Sequence, residues 1–202
     1  MNRAAKNIIL ASSSPRRISL LKEWGIKFKI LPSSADETTD LKKPSYIVKS
    51  LALRKGLSIT KFCKDALIIS ADTIVVLNGK IVGKPKDGKD SEKILRELNG
   101  SAHKVYTGVA VIYAACGAVK KQVVFYDVAC VKMKKLPELK LRQLFGKHMD
   151  KAGAYAVQDS NDAFVEKIYG DYYTVVGLPY FKLKKELKKF NVVFRQIKNK
   201  RQ

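Results

Sequence analysis

The sequence predicts an α/β chain, a mixed twisted sheet with flanking helices, and three observations carry that prediction. Short apolar runs alternate with segments whose apolar residues recur at helical spacing, the patterning of α/β proteins. One pair of runs is joined by Asn78-Gly79, a two-residue hairpin signal that brings antiparallel pairing into the sheet. The 202 residues are 46% hydrophobic and 9% aromatic, enough to bury a substantial core.

The elements follow in order. Ile8–Ala11 reads as a strand. Ser14 suits a helix N-cap and Pro15 the first helical position, where a missing N–H costs nothing, so a helix runs from Pro15 to Trp24 on an apolar stripe of Ile18, Leu20, Leu21 and Trp24. Phe28–Leu31 reads as a strand, and Pro44 opens a helix over Ser45–Thr60. Ala66–Ser70 is an apolar strand, and Ile74–Leu77 pairs with Lys80–Val82 through Asn78-Gly79. Ser91–Asn99 is a helix closed by Gly100, after which Val105–Tyr113 and Val119–Val131 form long strands around a turn at Gly117. Pro137–His148 and Pro179–Phe190 complete the helices. No repeat, low-complexity stretch or linker divides residues 1–202, which read as one domain with a basic tail over 195–202.

Composition excludes several classes. Cys63, Cys116 and Cys130 lie far apart without Cys-x-x-Cys spacing, and His103 and His148 are the only histidines, so no zinc site or disulfide framework is visible and a reducing cytoplasm is expected. The apolar run before Ser12 is too short for a signal peptide, and no stretch is long enough to span a bilayer. The net charge of +22 invites a nucleic-acid reading, yet 32 of the 40 basic residues are lysines spread over the whole chain, with no recognition motif beside them. Nonspecific adhesion at low salt is expected, and specific nucleic-acid binding is not.

The segment Ile8-Ile9-Leu10-Ala11-Ser12-Ser13-Ser14-Pro15-Arg16-Arg17 takes an apolar strand through a hydroxyl-rich turn into a helix start with two arginines, the makings of an anion site. The dipole offers an anion only ~0.3–1 kcal/mol, and a guanidinium about 4 Å away roughly 4 kcal/mol, so the arginines decide the affinity. Read alone, the segment is equally a capped amphipathic helix with solvated arginines. Further segments place a polar group at the end of an apolar strand: Ile68-Ile69-Ser70-Ala71-Asp72-Thr73, then Gly79-Lys80-Ile81-Val82-Gly83-Lys84-Pro85, and Lys151-Ala152-Gly153-Ala154-Tyr155-Ala156-Val157-Gln158. A carboxylate closing an apolar strand, as Asp72 does, is expensive unless it faces a cleft, a cation or a metal; otherwise it is a turn or capping aspartate. Glu37, in Ser33-Ser34-Ala35-Asp36-Glu37, is a second carboxylate able to share a hard divalent ion with Asp72. No Walker sequence and no Gly-x-Gly-x-x-Gly occurs, which argues against a P-loop or dinucleotide-binding enzyme.

These segments, together with His103-Lys104-Val105-Tyr106-Thr107-Gly108-Val109, Phe164-Val165-Glu166-Lys167-Ile168 and Val176-Gly177-Leu178-Pro179, resemble the Maf family of nucleoside triphosphate pyrophosphatases over roughly residues 7–190. The resemblance implies an inosine triphosphatase-like fold, two lobes around a cleft. It implies hydrolysis at the α-phosphorus, with Mg²⁺ or Mn²⁺, to a nucleoside monophosphate and pyrophosphate. It assigns Ser14, Arg16, Arg17, Lys55 and Lys84 to the phosphates; on their own, Lys55 and Lys84 are surface lysines. It makes Asp72 the proton acceptor and puts Glu37 in the same acidic, metal-holding site. A carboxylate bound tightly to metal is a poor base, so Asp72 either activates water or orients water on the ion, and the sequence leaves both open.

Substrate preference also comes through the resemblance. Arg16, Thr73 and Gln158 match the dTTP/UTP subgroup rather than the 7-methyl-GTP subgroup, and a glutamine amide offers the donor and acceptor that a uracil-like edge needs. Gln158 read alone is an ordinary strand-end glutamine. Two departures stand out: Asp159 follows Gln158 where glycine is usual, and Asp171 and Thr174 replace the usual serine and asparagine. The resemblance further implies a homodimer, a link to arrest of cell division, and removal of modified pyrimidine triphosphates. The competing reading is a noncatalytic protein of the same fold that regulates septum formation or binds nucleic acid nonspecifically; the set Arg16, Arg17, Glu37, Lys55, Asp72 and Lys84 argues for catalysis.

Overall fold

A computed structural model of the chain describes residues 7–157 and 164–192. β1 (Ile8–Leu10) leads into α1 (Pro15–Glu23), and β2 (Lys29–Ile30) is followed by an irregular segment and α2 (Pro44–Ser58). The hairpin of β3 (Asp65–Leu77) and β4 (Lys80–Val82) precedes α3 (Gly88–Leu98), and β5 (Ala102–Ala115) turns into β6 (Ala118–Met133). Short helix α4 (Glu138–Arg142), β7 (Val165–Tyr169), α5 (Tyr172–Val176) and α6 (Tyr180–Lys188) complete the described elements.

Among the described residues the strands form one sheet in the order β2-β1-β3-β5-β6-β7, with β4 on β3. β1 is parallel to β2 and β3, and the other pairings are antiparallel. The result is the mixed α/β sheet the sequence predicts. One edge of β3 is paired with β5 from Asp65 to Val76. Its other edge is shared: β1 takes Leu67 to Ile69 and β4 takes Val75 to Leu77. Between them lies a notch in the sheet, and Asp72 and Thr73 sit in it.

Pleating sends alternate β3 residues to opposite faces. Leu67, Ile69 and Ala71 pack with Leu20, Leu21 and Trp24 of α1 and with Tyr173 and Leu183. Ile68, Ile74 and Val76 face α2, beside Ala52, Ile47, Val48 and Leu51. Cover on both faces is why β3 is apolar almost throughout. α2 lies close to the sheet because two glycines allow it. A Cβ on Gly108 would overlap the Val48 carbonyl, and one on Gly56 would lie 2.6 Å from Ile112 Cδ1 and 2.7 Å from Ser70 Oγ.

Several expectations are corrected. The strands read as Ala66–Ser70 and Ile74–Leu77 are one thirteen-residue strand, so Asp72 lies within a strand rather than at its end. Ser14 takes the N-cap position of α1 without a side-chain cap bond; Ser12 Oγ accepts from the Ser14 N–H at 3.2 Å instead. The strand read at Phe28–Leu31 is only Lys29–Ile30, and α2 starts one residue earlier and stops at Ser58, with a 3₁₀ turn at Thr60–Phe62. α3 begins at Gly88 because Asp87 caps it, its Oδ1 accepting from the Asp90 N–H at 2.8 Å. Past Arg142 the expected helix dissolves into turns, with Gly146 at a φ of +75°. Residues 152–154 form a 3₁₀ turn rather than a strand, since Gly153 adopts a φ of +78°. Gln158, Asp159 and the basic tail lie outside the described residues.

Candidate active site

A cleft of about 530 Å³ opens at the notch. Ser12–Arg17, Glu37, Lys55, Asp72, Thr73 and Lys84 line it, and beyond them an apolar end is formed by residues such as Val75, Val82, Val105 and Tyr155. The structure thus brings together every described residue that the sequence nominates. Asp72 and Thr73, being consecutive in a strand, project from opposite faces of the sheet. Asp72 meets α2 on one face, and Thr73 meets α1 on the other.

On the α2 face Lys55 Nζ lies 2.6 Å from Asp72 Oδ1 and 2.9 Å from Glu37 Oε1. Asp72 is buried, at 7% exposure, and Glu37 is exposed. Among the described residues Asp72 Oδ2 has no hydrogen-bond partner. Glu37 reaches Lys55 from an irregular segment stitched to α2 on both sides of Lys55: Arg54 Nη2 donates to Thr38 O at 2.7 Å, and Ser33 Oγ and Ser58 Oγ are 2.9 Å apart. Burial pushes the Glu37 carboxyl up, but the hydrogen bond and charge of Lys55, helped by Lys84 and Arg17, outweigh it and hold the group below its ordinary value.

On the α1 face Arg17 is fixed from three sides. Its Nε donates to Gly177 O at 3.1 Å, Nη1 to Ser12 Oγ at 3.2 Å, and Nη2 to Thr73 Oγ1 at 3.0 Å. Burial pushes the guanidinium down to about 10, with Asp72 and Glu37 pulling the other way and Arg16 adding to the fall. Arg16 is half-buried; burial lowers it too, against the opposing pull of Asp150 and Tyr155. Lys84, past the end of β4, is exposed and has no ion-pair partner among the described residues. Ser14 lines the cleft with its hydroxyl outside the cap bond the sequence suggests.

The described residues contain no cluster of three His, Cys, Asp or Glu side chains suited to a metal. Two carboxylates nevertheless converge on one ammonium in the cleft. That is a fitting donor set for Mg²⁺ or Mn²⁺, since Mg²⁺ usually takes one or two protein carboxylates and completes its shell with water and substrate phosphate. A cleft with this acidic pair, four arginine and lysine side chains lining it and an apolar end can hold a polyphosphate by one end and a ring by the other.

Sequence reasoning missed Thr107, Gly177, Asp150, Tyr155 and His103. His103 and Thr107 stand in a segment noted above without a role for either. His103 Nε2 and the Tyr155 hydroxyl are 2.7 Å apart, under the apolar end of the cleft. No described helix is long and apolar enough to cross a membrane.

A family model described as Maf-like protein matches residues 7–190. The chain is 43% identical over 185 residues to a dTTP/UTP pyrophosphatase of Elusimicrobium minutum, covering 91% of this chain and 98% of that protein. It is 46% identical over 188 residues to one of Pelotomaculum thermopropionicum, covering 92% and 97%. In fold it is similar to a HAM1 protein from Coxiella burnetii, with a TM-score of 0.50 at 14% identity over 91% of this chain and 98% of that one.

Proposed function

This chain belongs to the family of Maf-like proteins, and from that premise we propose that it hydrolyses dTTP and UTP to the nucleoside monophosphate and pyrophosphate. One observation carries the reading: Glu37 and Asp72 converge on Lys55 in the same cleft that Arg16, Arg17 and Lys84 line. A triphosphate carries about four negative charges, and cations preorganised around it stabilise the charge that moves onto the leaving group.

Arg16, Arg17, Lys84 and the Ser14 turn hold the triphosphate, with Lys55 between the two carboxylates. Asp72, fixed through Oδ1 by Lys55, accepts the proton of the attacking water. Water oxygen bonds to the α-phosphorus, the bond from that phosphorus to the α,β-bridging oxygen breaks, and pyrophosphate departs. Glu37 would carry the divalent cation, Mg²⁺ or Mn²⁺, which offsets phosphate charge when bound, with Asp72 beside it and held loosely enough to stay basic. The apolar end takes the nucleoside, and Gln158 reads its pyrimidine edge. The activity belongs to one domain over residues 7–190, working as a homodimer in the cytoplasm.

The test is pyrophosphate release from normal and modified triphosphates with Mg²⁺ or Mn²⁺. dTTP, UTP and 5-modified uridine triphosphates are expected to lead ATP, GTP and 7-methyl-GTP by about one to two decades, since a mismatched edge costs ~1–3 kcal/mol for each buried group left unpaired. GTP or 7-methyl-GTP as best substrate would overturn the pyrimidine preference. No pyrophosphate from any nucleotide would overturn the enzyme.

A further inference from the structure

We propose that Thr73 and Thr107 are positioning residues for Arg17, acting on the triphosphate through its guanidinium and not on the base. The inference rests on the reading of Arg17 as a phosphate ligand. It follows from the direction in which a file of hydroxyls must donate. Thr107 is fully buried, and its Oγ1 lies 2.7 Å from the backbone oxygen of Thr174. A carbonyl oxygen can only accept, so the single hydroxyl proton of Thr107 is spent there. Thr107 then offers only lone pairs to Thr73 Oγ1 at 3.0 Å, and Thr73 must be the donor of that bond. What Thr73 has left is lone pairs, and these receive the Arg17 Nη2–H at 3.0 Å.

The bonds therefore run one way, from Arg17 to Thr73 to Thr107 to the Thr174 carbonyl. Thr73 keeps no proton with which to bond a base carbonyl. The far end is anchored in turn, because Thr174 Oγ1 bonds Asp127 Oδ2 at 2.6 Å and Asp127 Oδ1 pairs with Lys182 at 2.7 Å. The link between Thr107 and residue 174 uses the backbone, so threonine in place of the asparagine usual there leaves it intact.

The guanidinium has five N–H groups in a rigid plane, and the bonds to Gly177, Ser12 and Thr73 occupy three of them. One N–H on each terminal nitrogen is left, in an orientation that those three bonds define. Gly177 belongs to the same device: its φ is +120°, and a Cβ there would come within 3.2 Å of Arg17 Nε and 3.4 Å of Thr73 Oγ1. A side chain at 177 would displace the group it supports.

The experiment compares Thr73→Val, Thr73→Ser, Thr107→Val and Thr107→Ser with wild type by two readouts: calorimetric binding of inorganic tripolyphosphate, which has no base, and kcat/KM for dTTP, UTP and GTP. Each valine variant is expected to weaken tripolyphosphate binding by about ten-fold, the upper range of one hydrogen bond, and to lower all three kcat/KM values alike. Serine, which restores the hydroxyl, should recover both. A Thr73→Val protein whose dTTP-to-GTP ratio moves while tripolyphosphate binding holds would show that Thr73 reads the base, and would overturn the proposal. So would equal losses from serine and valine, which point to packing. If Thr107→Val does not fold, the Thr73 pair decides. A wild type that binds tripolyphosphate but hydrolyses no nucleotide refutes the proposed function while the binding arm still judges Thr73; a wild type that hydrolyses nucleotides without affinity for tripolyphosphate overturns the proposal and leaves the enzyme standing.

Discussion

The Lys55 ammonium and the Asp72 carboxylate meet at 2.6 Å across two elements, α2 and β3, and what lets them meet is a third residue that carries no side chain. Gly108 pairs with Asp72 across the β5–β3 ladder and is the point where the α2 backbone at Val48 rests on the sheet. The acidic residue, its cationic partner and the spacing between them are thus set within one small region of the molecule.

Asp72→Asn preserves shape but removes the proposed proton acceptor, while Lys55 keeps its contact to Glu37 at 2.9 Å. Turnover is expected to fall by on the order of 10²–10⁴-fold, the usual worth of a positioned base. Single-turnover kinetics beside a thermal melt checks this. Near-wild-type turnover removes Asp72 from the chemistry.

Gly108→Ala tests the spacing. The added methyl has backbone on its far side, which cannot rotate away, so α2 must move; overpacking of this kind costs roughly 1–3 kcal/mol and sometimes more. Urea denaturation should report the loss, and kcat should fall with it as Lys55 moves off Asp72. An alanine variant with wild-type stability and activity would mean that α2 shifts without disturbing the site.

Arg16→Ala and Lys84→Ala should behave differently from Gly108→Ala. Lys84 is exposed with no ion-pair partner among the described residues, so its removal should change stability by less than about 0.5 kcal/mol. If its partner is phosphate, kcat/KM should fall by roughly ten- to hundred-fold, the worth of one charge-assisted bond. Arg16 should follow with a somewhat larger stability change, being half-buried near Asp150. A lower melting temperature without loss of activity would make either residue structural.

The legible parts of this site are those whose residues lie together in sequence. Ser12–Arg17 announce themselves because strand, turn and helix start are contiguous, and Asn78-Gly79 fixes β4 against β3 for the same reason. Asp72 is recognisable as costly within an apolar run, yet its polarity also makes the run look finished; only pairing with Gly108 keeps the strand going. The Thr73–Thr107 contact spans 34 residues and depends on strand register, which periodicity leaves undetermined. Tyr155 reads as a strand residue until Gly153 adopts positive φ and turns the chain into the cleft wall.

The excess of positive charge leads to a prediction about polyanions. Lysines spread over the surface neutralise phosphates without reading bases, so binding to DNA or RNA should be weak, indifferent to sequence and steeply salt-dependent. Fluorescence anisotropy with unrelated oligonucleotides across a salt series measures it. Tight, sequence-selective binding near physiological salt would favour the nucleic-acid reading over the enzymatic one.

His103 carries a prediction about acid stability. It is 2% exposed, bonded to the Tyr155 hydroxyl at 2.7 Å, and burial pushes its imidazole down to about 4 from an ordinary 6.5. The ring is therefore neutral in the native protein at pH 5, where the unfolded chain has largely taken up a proton. Because the unfolded state binds more protons in this window, stability rises with pH: the contribution is fully present above about pH 6.5 and is lost as pH falls toward 4. Between pH 7 and pH 5 the loss from this one group should be ~2 kcal/mol. Other groups titrate over the same range, so the comparison must be differential. Chemical denaturation of wild type and His103→Gln at both pH values isolates the term, since glutamine carries no titrating proton. Wild type should lose more stability than the variant by about that amount, even if the variant is less stable at pH 7. Parallel losses in the two proteins would mean that His103 is protonated in the folded state, with its charge stabilised beside Tyr155.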